Sequence, residues 1–187
     1  SDYQVIMVMG IDADKNRYII DYFHDKIPAF DMPEQIIKKA KKYKPIRRIA
    51  VETVGAQEMV RDMVERMVKK EKKLLPGINL GVRPPHGIKK EDRLEMSLGS
   101  IVNNKKLYIK KEHTELLDEL FQFPKGKNDD LLDGLYYSDF FAKPPRSTVI
   151  KKEEYESVDD LMPRMKTKIN WMTGLKVWEF VETIIVN

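Results

Sequence analysis

The residues best able to do chemistry in this chain are carboxylates. Glu52 closes the short apolar run Ile49-Ala50-Val51, and the carboxyl end of a buried strand is where open α/β sheets place their sites. Asp129 and Asp130, with Asp133 one turn further on, open an apolar stretch directly after Lys125-Gly126-Lys127. A helix N-terminus at that point favours the ionised form of these acids. Three or four carboxylates without His or Cys select a hard, oxygen-preferring ion, Mg2+ or Mn2+. Two such ions about 4 Å apart can activate water and stabilise the leaving oxygen when a phosphodiester is cut. The plainer alternative is that Asp129 and Asp130 cap a helix and that Glu52 is a solvated charge. His24, His86 and His113 are scattered without metal-ligand spacing, and Ser100 and Ser138 have no nearby nucleophile-and-base arrangement.

These acids need elements to position them. Val5 to Met9 and Tyr18 to Phe23 are apolar runs separated by Asp12-Ala13-Asp14-Lys15-Asn16, which predicts an antiparallel hairpin. A helix over 32–44 follows, with Asp31 and Glu34 at capping-box spacing, Pro33 in the first turn, and Ile36, Ile37, Ala40 and Tyr43 as its stripe. Next come a strand at 49–52 and a long helix over 56–73 with Met59, Val60, Met63, Val64, Met67 and Val68 as core. An extended segment centred on Val82 is expected over 78–89. A helix over 90–101, a strand at 107–109, a helix over 115–121, and a helix over 129–142 complete the body. The last of these is expected to bury Leu131, Leu132, Leu135, Tyr136 and Phe140. The order predicts an α/β fold with a mixed sheet, an N-terminal antiparallel hairpin and helices on both faces. The strand at 48–52 is expected in the middle of that sheet, reached by a right-handed crossover. After Pro144-Pro145 the chain is charged and then apolar from Val177 to Val186, as a terminal strand or helix docking on the body would be.

Composition narrows the classes. The chain has 187 residues, 42% of them hydrophobic, enough to build one real core and too apolar for disorder. The formal net charge of +4 permits a polyanionic partner. With no cysteine, disulfides, thiolate chemistry and Cys-ligated zinc or iron–sulfur sites are excluded. The longest apolar run, Val5 to Ile11, is far short of the ~20 residues that span a bilayer. No signal pattern opens the chain, so a soluble, intracellular protein without a membrane partner is expected. It starts at Ser1 rather than Met, as a fragment of something longer would. There is no Gly-x-x-x-x-Gly-Lys-Ser/Thr and no Gly-x-Gly-x-x-Gly.

Residues 126–135, Gly-Lys-Asn-Asp-Asp-Leu-Leu-Asp-Gly-Leu, preceded by Glu119-Leu120-Phe121-Gln122-Phe123-Pro124, resemble the closing motif of the large subunit of tailed-phage DNA-packaging terminases. Other pieces fall in that family's order. Asp2-Tyr3 with the hairpin to Asp21 is similar to its β-hairpin. Tyr43-Lys44-Pro45 with Ile49 to Glu52 and Gln57 is similar to its second acidic motif, and Lys90-Glu91-Asp92-Arg93 resembles its Lys-x-x-Arg segment. The resemblance covers about residues 1–142; residues 143–187 match nothing recognised and form an extension expected to pack on the same domain.

The resemblance implies an RNase H-like endonuclease domain that cuts double-stranded viral DNA during genome packaging in the host cytoplasm, with Mg2+ or Mn2+, two ions by expectation. It implies Glu52 and Asp130 as metal ligands with Asp129 adjacent, and Lys90, Arg93, Lys125 and Lys127 facing the phosphate backbone. Its implied partners are DNA, an upstream ATPase domain of the same protein, the portal and the small terminase subunit. The absent P-loop means that this chain does not carry the ATPase motor. Two features depart from the family pattern. The position often held by His is Asn128, which cannot shuttle a proton. The family's first acid lies on a strand before the point where this chain starts. Three explanations stand for that strand: it lies upstream of Ser1, which is preferred; Asp12 substitutes for the acid, although it falls in the expected turn; or the C-terminal apolar segment fills the gap. Competing functions are another RNase H-like nuclease, of resolvase or transposase type, and a non-catalytic module that binds DNA or the portal.

Overall fold

The computed structural model describes residues 3–52, 57–70, 87–145, 156–157 and 181–186. The expected hairpin is there, as β1 (Gln4–Ile11) and β2 (Arg17–Asp25), paired antiparallel with an irregularity between Val8 and Met9. β1 reads as an unbroken apolar run because both of its faces are covered. Val5, Met7 and Met9 join a core cluster with the helices of the second half of the chain, while Ile6 and Val8 join a cluster with the helices of the first half.

The first-half helices are α1 (Met32–Lys42) and α2 (Gln57–Lys70), with β3 (Arg48–Val51) between them. Met32, Ile36, Ile37 and Ala40 form the buried side of α1. Asp31 stands at its N-cap, but its side chain makes no capping bond, so the capping box expected with Glu34 is not formed. In α2 the valines alone make the buried row, at Val60, Val64 and Val68, one every four residues. Met67 packs beside that row and Met59 is exposed, so the methionines flank the core. The extended segment expected around Val82 lies largely outside the described residues.

The other face carries α3 (Lys90–Asn103), α4 (Thr114–Gln122) and α5 (Asp130–Phe141), with β4 (Leu107–Ile109) between α3 and α4. Leu131, Leu132, Leu135, Tyr136 and Tyr137 are buried on α5. Phe140, expected among them, is 67% exposed; Tyr137, at the next turn after Asp133, takes the inward place.

Two short strands from beyond Phe141, β5 (Glu156–Ser157) and β6 (Val181–Val186), complete a six-stranded sheet in the order β3-β6-β1-β2-β4-β5. β6 lies between β1 and β3, antiparallel to the first and parallel to the second. The C-terminal apolar segment thus fills the sheet position left open by the hairpin and β3, as the third explanation anticipated. It also corrects the placement of β3. That strand is an edge strand rather than a central one, because β6 separates it from β1. β3 is nonetheless buried on both sides, with Ile49 and Val51 in one core cluster and Ala50 in the other.

Candidate active site

β3 delivers Glu52 to the carboxyl end of the sheet, and α5 crosses the same region. The Tyr137 hydroxyl donates to Glu52 Oε1 at 2.9 Å, joining residues 85 apart in sequence. Around that contact, α3 contributes two cations. Arg93 donates to Asp133 Oδ1 at 2.5 Å and more distantly, at 3.5 Å, to the Tyr137 hydroxyl oxygen. Lys90 donates to Asp129 Oδ1 at 2.9 Å, and its Nζ stands 3.6 Å from Asp133 Oδ2. The result is a continuous chain: Glu52, Tyr137, Arg93, Asp133, Lys90, Asp129.

Helical spacing explains this alignment. Asp129, Asp133 and Tyr137 recur every four residues and so share one side of α5; Lys90 and Arg93, three apart, share one side of α3. Asp130 sits one residue round from that row, about 100° on an α-helix. It acts on Lys90 through its charge. The structure therefore brings Glu52, Asp129, Asp133, Lys90 and Arg93 into one constellation, with Asp130 at its margin.

Glu52 and Asp133 respond to burial first. Burial pushes the Glu52 carboxyl above the usual range; the Tyr137 hydrogen bond and the charges of Arg93 and Lys90 oppose this, and Asp133 adds to it. Burial likewise raises Asp133, against the pull of Lys90 and Arg93. For Asp133 burial thus works against the lowering expected at a helix N-terminus and outweighs the pull of the two cations. Lys90 is raised too, but for the opposite reason. Burial draws its ammonium down, but the Asp129 hydrogen bond and the charges of Asp133, Asp129 and Asp130 more than offset that and hold it above the ordinary lysine value.

Two acids turn out to have structural work. Glu119 is 8% exposed, and its Oε2 accepts from the backbone N–H groups of Leu131 and Leu132 at 2.9 and 3.2 Å. These are orphan donors of the α5 N-terminus, so α4 caps α5 across the Phe123-Pro124 loop. Asp129 occupies the N-cap position itself without a capping bond. Its side chain faces Lys90 instead, which sets aside the plainer alternative for this residue. Asp12 is fully buried. It accepts from Asn16 N at 2.8 Å, Asn16 Nδ2 at 2.7 Å and the Tyr18 hydroxyl at 3.1 Å. Val51, Val186 and Ile6 are level across the sheet, and Asp12 lies six residues beyond Ile6, roughly 20 Å along the strand at the usual rise. Asp12 is therefore the lock of the hairpin turn, at the opposite end of the sheet from Glu52, and does not stand in for a missing site acid.

The cations differ in availability. Lys125 and Lys127 are exposed on the loop that leads into the acids. Arg93 is 8% exposed, with its guanidinium 4.7 Å from the Tyr136 ring and 5.4 Å from the Tyr137 ring. It is an internal partner of Asp133, not the surface phosphate contact that the family likeness implied.

Three or more acids or histidines placed to hold one metal ion do not occur among the described residues. The donor chemistry suits a hard divalent ion, but the arrangement does not fit one as it stands. Lys90 and Arg93 already neutralise Asp129 and Asp133, and the unpartnered buried atom beside them, Arg93 Nε, is a donor on a cation. Sequence reasoning singled out Asp133 only as a neighbour of Asp129 and overlooked Tyr137 and the capping role of Glu119. The four-residue spacing from Asp129 to Asp133 to Tyr137 was the available signal for Tyr137.

A family model described as a terminase RNaseH-like domain matches residues 1–138. No curated protein and no solved structure matches the chain. No helix among the described residues is long and apolar enough to cross a membrane.

Proposed function

This chain belongs to the terminase RNase H-like domain family, and we propose that it is the endonuclease that cuts double-stranded viral DNA during genome packaging. The observation that carries the reading is the joining of Glu52 to the α5 acids. One hydrogen bond from Tyr137, and one bridge of Arg93 and Lys90, gather side chains from β3, α3 and α5 at one end of the sheet. The proposal assigns Glu52, Asp129 and Asp130 to the reaction, with Asp133 holding the cations in register. It includes dependence on Mg2+ or Mn2+, which would supply an activated water and charge stabilisation when bound.

The chain's own residues do the rest. Lys125 and Lys127 project from the loop beside the acids and draw in the phosphate backbone. Contacts of that kind bind without reading sequence and weaken as salt rises. Glu119 fixes where α5 begins and so where Asp129 and Asp130 stand. An upstream ATPase domain, the portal and the small terminase subunit are proposed partners on the strength of family membership, and the host cytoplasm is the proposed setting.

The test is nicking of supercoiled plasmid in the presence of Mg2+ or Mn2+. Asp130→Ala should abolish nicking while circular dichroism shows the fold intact; unchanged cutting would remove Asp130 from the reaction. One observation favours a second reading, a DNA- or portal-binding module without catalysis: the cations of α3 already neutralise the acids. Plasmid binding by the unaltered protein with no nicking under any divalent ion would select it.

A further inference from the structure

We propose that the exposed lysine face of α1 is a second contact for the phosphate backbone of duplex DNA, on the opposite side of the sheet from the acids. The inference rests on the nuclease reading only in taking double-stranded DNA as the polyanion.

Seven of the chain's 34 lysines and arginines fall between Lys38 and Arg48, a stretch with no Asp or Glu. The formal net charge is +4, so without these seven the chain would be net negative; its cationic excess is concentrated here. Lys38, Lys41 and Lys42 lie within about 100° of one another around α1 and are exposed, as are Lys44 and Arg47 beyond its end. Lys39 turns inward instead, donating to Asp21 Oδ2 at 2.5 Å and to the Tyr22 carbonyl at 3.1 Å. Lys42 Nζ stands 3.5 Å from the same carboxylate, yet its side chain is 64% exposed. One carboxylate is thus shared by two ammoniums, and the face stays positive.

A merely solvated face mixes its signs, as α2 does: Arg61 pairs with Asp62 at 2.7 Å and Lys69 with Glu65 at 2.6 Å. On α1 the neighbours at three- and four-residue spacing, Lys38 with Lys41 and Lys38 with Lys42, carry like charge, which destabilises a helix. A polyanion laid along them turns that repulsion into attraction. A lipid surface does not suit this helix, because its apolar side, with Ile36, Ile37 and Ala40, is buried in the core. The face is also separate from the acids. α1 packs on the side of the sheet that takes Ile6 and Val8, whereas α3 and α5 pack on the side that takes Val5, Met7 and Met9. DNA held on α1 is therefore held without engaging Glu52, Asp129 or Asp130.

Binding of a labelled duplex oligonucleotide, followed by fluorescence anisotropy in EDTA across a salt series, tests this directly. The triple variant Lys38→Gln, Lys41→Gln, Lys42→Gln should bind about tenfold or more weakly at about 0.1 M salt. Its salt dependence should be shallower by about one power of salt per lysine. A control triple, Lys15→Gln, Lys26→Gln, Lys70→Gln, takes the same charge from scattered exposed positions and should weaken binding less. Unchanged affinity in the α1 triple, an equal loss in the control, or no duplex binding by the unaltered protein would each overturn the proposal. Plasmid nicking keeps the two readings apart. If the unaltered protein nicks DNA and the α1 triple binds duplex equally well, the second contact fails alone. If the α1 triple loses affinity and the unaltered protein does not nick, the nuclease reading fails alone.

Discussion

Replacing Glu119 should destabilise the protein out of proportion to a single acid, because the residue caps α5 from another helix. Its Oε2 takes two backbone N–H groups, those of Leu131 and Leu132, and both leucines are fully buried. In Glu119→Ala these donors lose their partner where water cannot replace it. Each orphaned donor costs about 1–3 kcal/mol, and loss of an N-cap typically costs about 1 kcal/mol. Against that stands the relief of a buried carboxylate, whose pKa burial raises despite the two N–H groups that pull it down. A net loss of about 2–4 kcal/mol follows. Glu119→Gln keeps one acceptor oxygen but not the charge that complements the helix dipole, and should lose only about 1 kcal/mol. Urea unfolding followed by circular dichroism, with the slope unchanged, measures both. A loss below about 0.5 kcal/mol for Glu119→Ala, or equal losses for the two variants, would refute the capping argument.

Other predictions are shorter. Arg93→Ala leaves the buried Asp133 with the Lys90 ammonium 3.6 Å away in place of its hydrogen-bonded guanidinium and strips both tyrosine faces, so it should cost about 3 kcal/mol in the same unfolding assay. Asp21 is held below the ordinary carboxylate value of 3.8: burial works against this, but hydrogen bonds from Lys39 and Tyr43 and the charges of Lys39 and Lys42 outweigh it. Folding therefore favours its ionised form, and its contribution is complete above 3.8 and is lost as pH falls through the depressed folded value. Asp21→Asn should accordingly lower stability at neutral pH and make little difference once the pH is below the folded value, as thermal unfolding across pH would show. Ile185 pairs with Met7 on one side and Ala50 on the other. Ile185→Pro removes a ladder donor from the interior of the sheet and should abolish cooperative unfolding; a cooperative transition that persists would show that β6 is dispensable.

Most of the fold was legible because its elements carry strong periodicity. The unbroken apolar run of β1, the stripe of α1 and the three-residue strand β4 needed no tertiary information. What could not be read was who lies beside whom. β3 reads as a central strand, and only the return of a segment more than a hundred residues later makes it an edge. Phe140 and Tyr137 both fit an apolar side of α5; the structure buries Tyr137, with its hydroxyl on Glu52, and leaves Phe140 exposed. The site was half legible for the same reason. Glu52 and the Asp129-Asp130 pair announce themselves by position, whereas Glu119 looks like any acid on an exposed helix until α5 docks against it. Lys90 and Arg93 have the same charge and spacing that a DNA-facing pair would have; only burial shows that Arg93 is an internal partner of Asp133.

The central claim is that Glu52 and Asp130, from β3 and α5, act as one site on DNA. Residues that act as a unit are non-additive in their effects. Plasmid nicking with Mn2+ by Glu52→Gln, Asp130→Asn and the double variant, each shown to be folded, therefore tests it most directly. The account predicts that all three fall to the same residual rate. If the two single losses are partial and multiply in the double variant, the residues work independently and the account is contradicted.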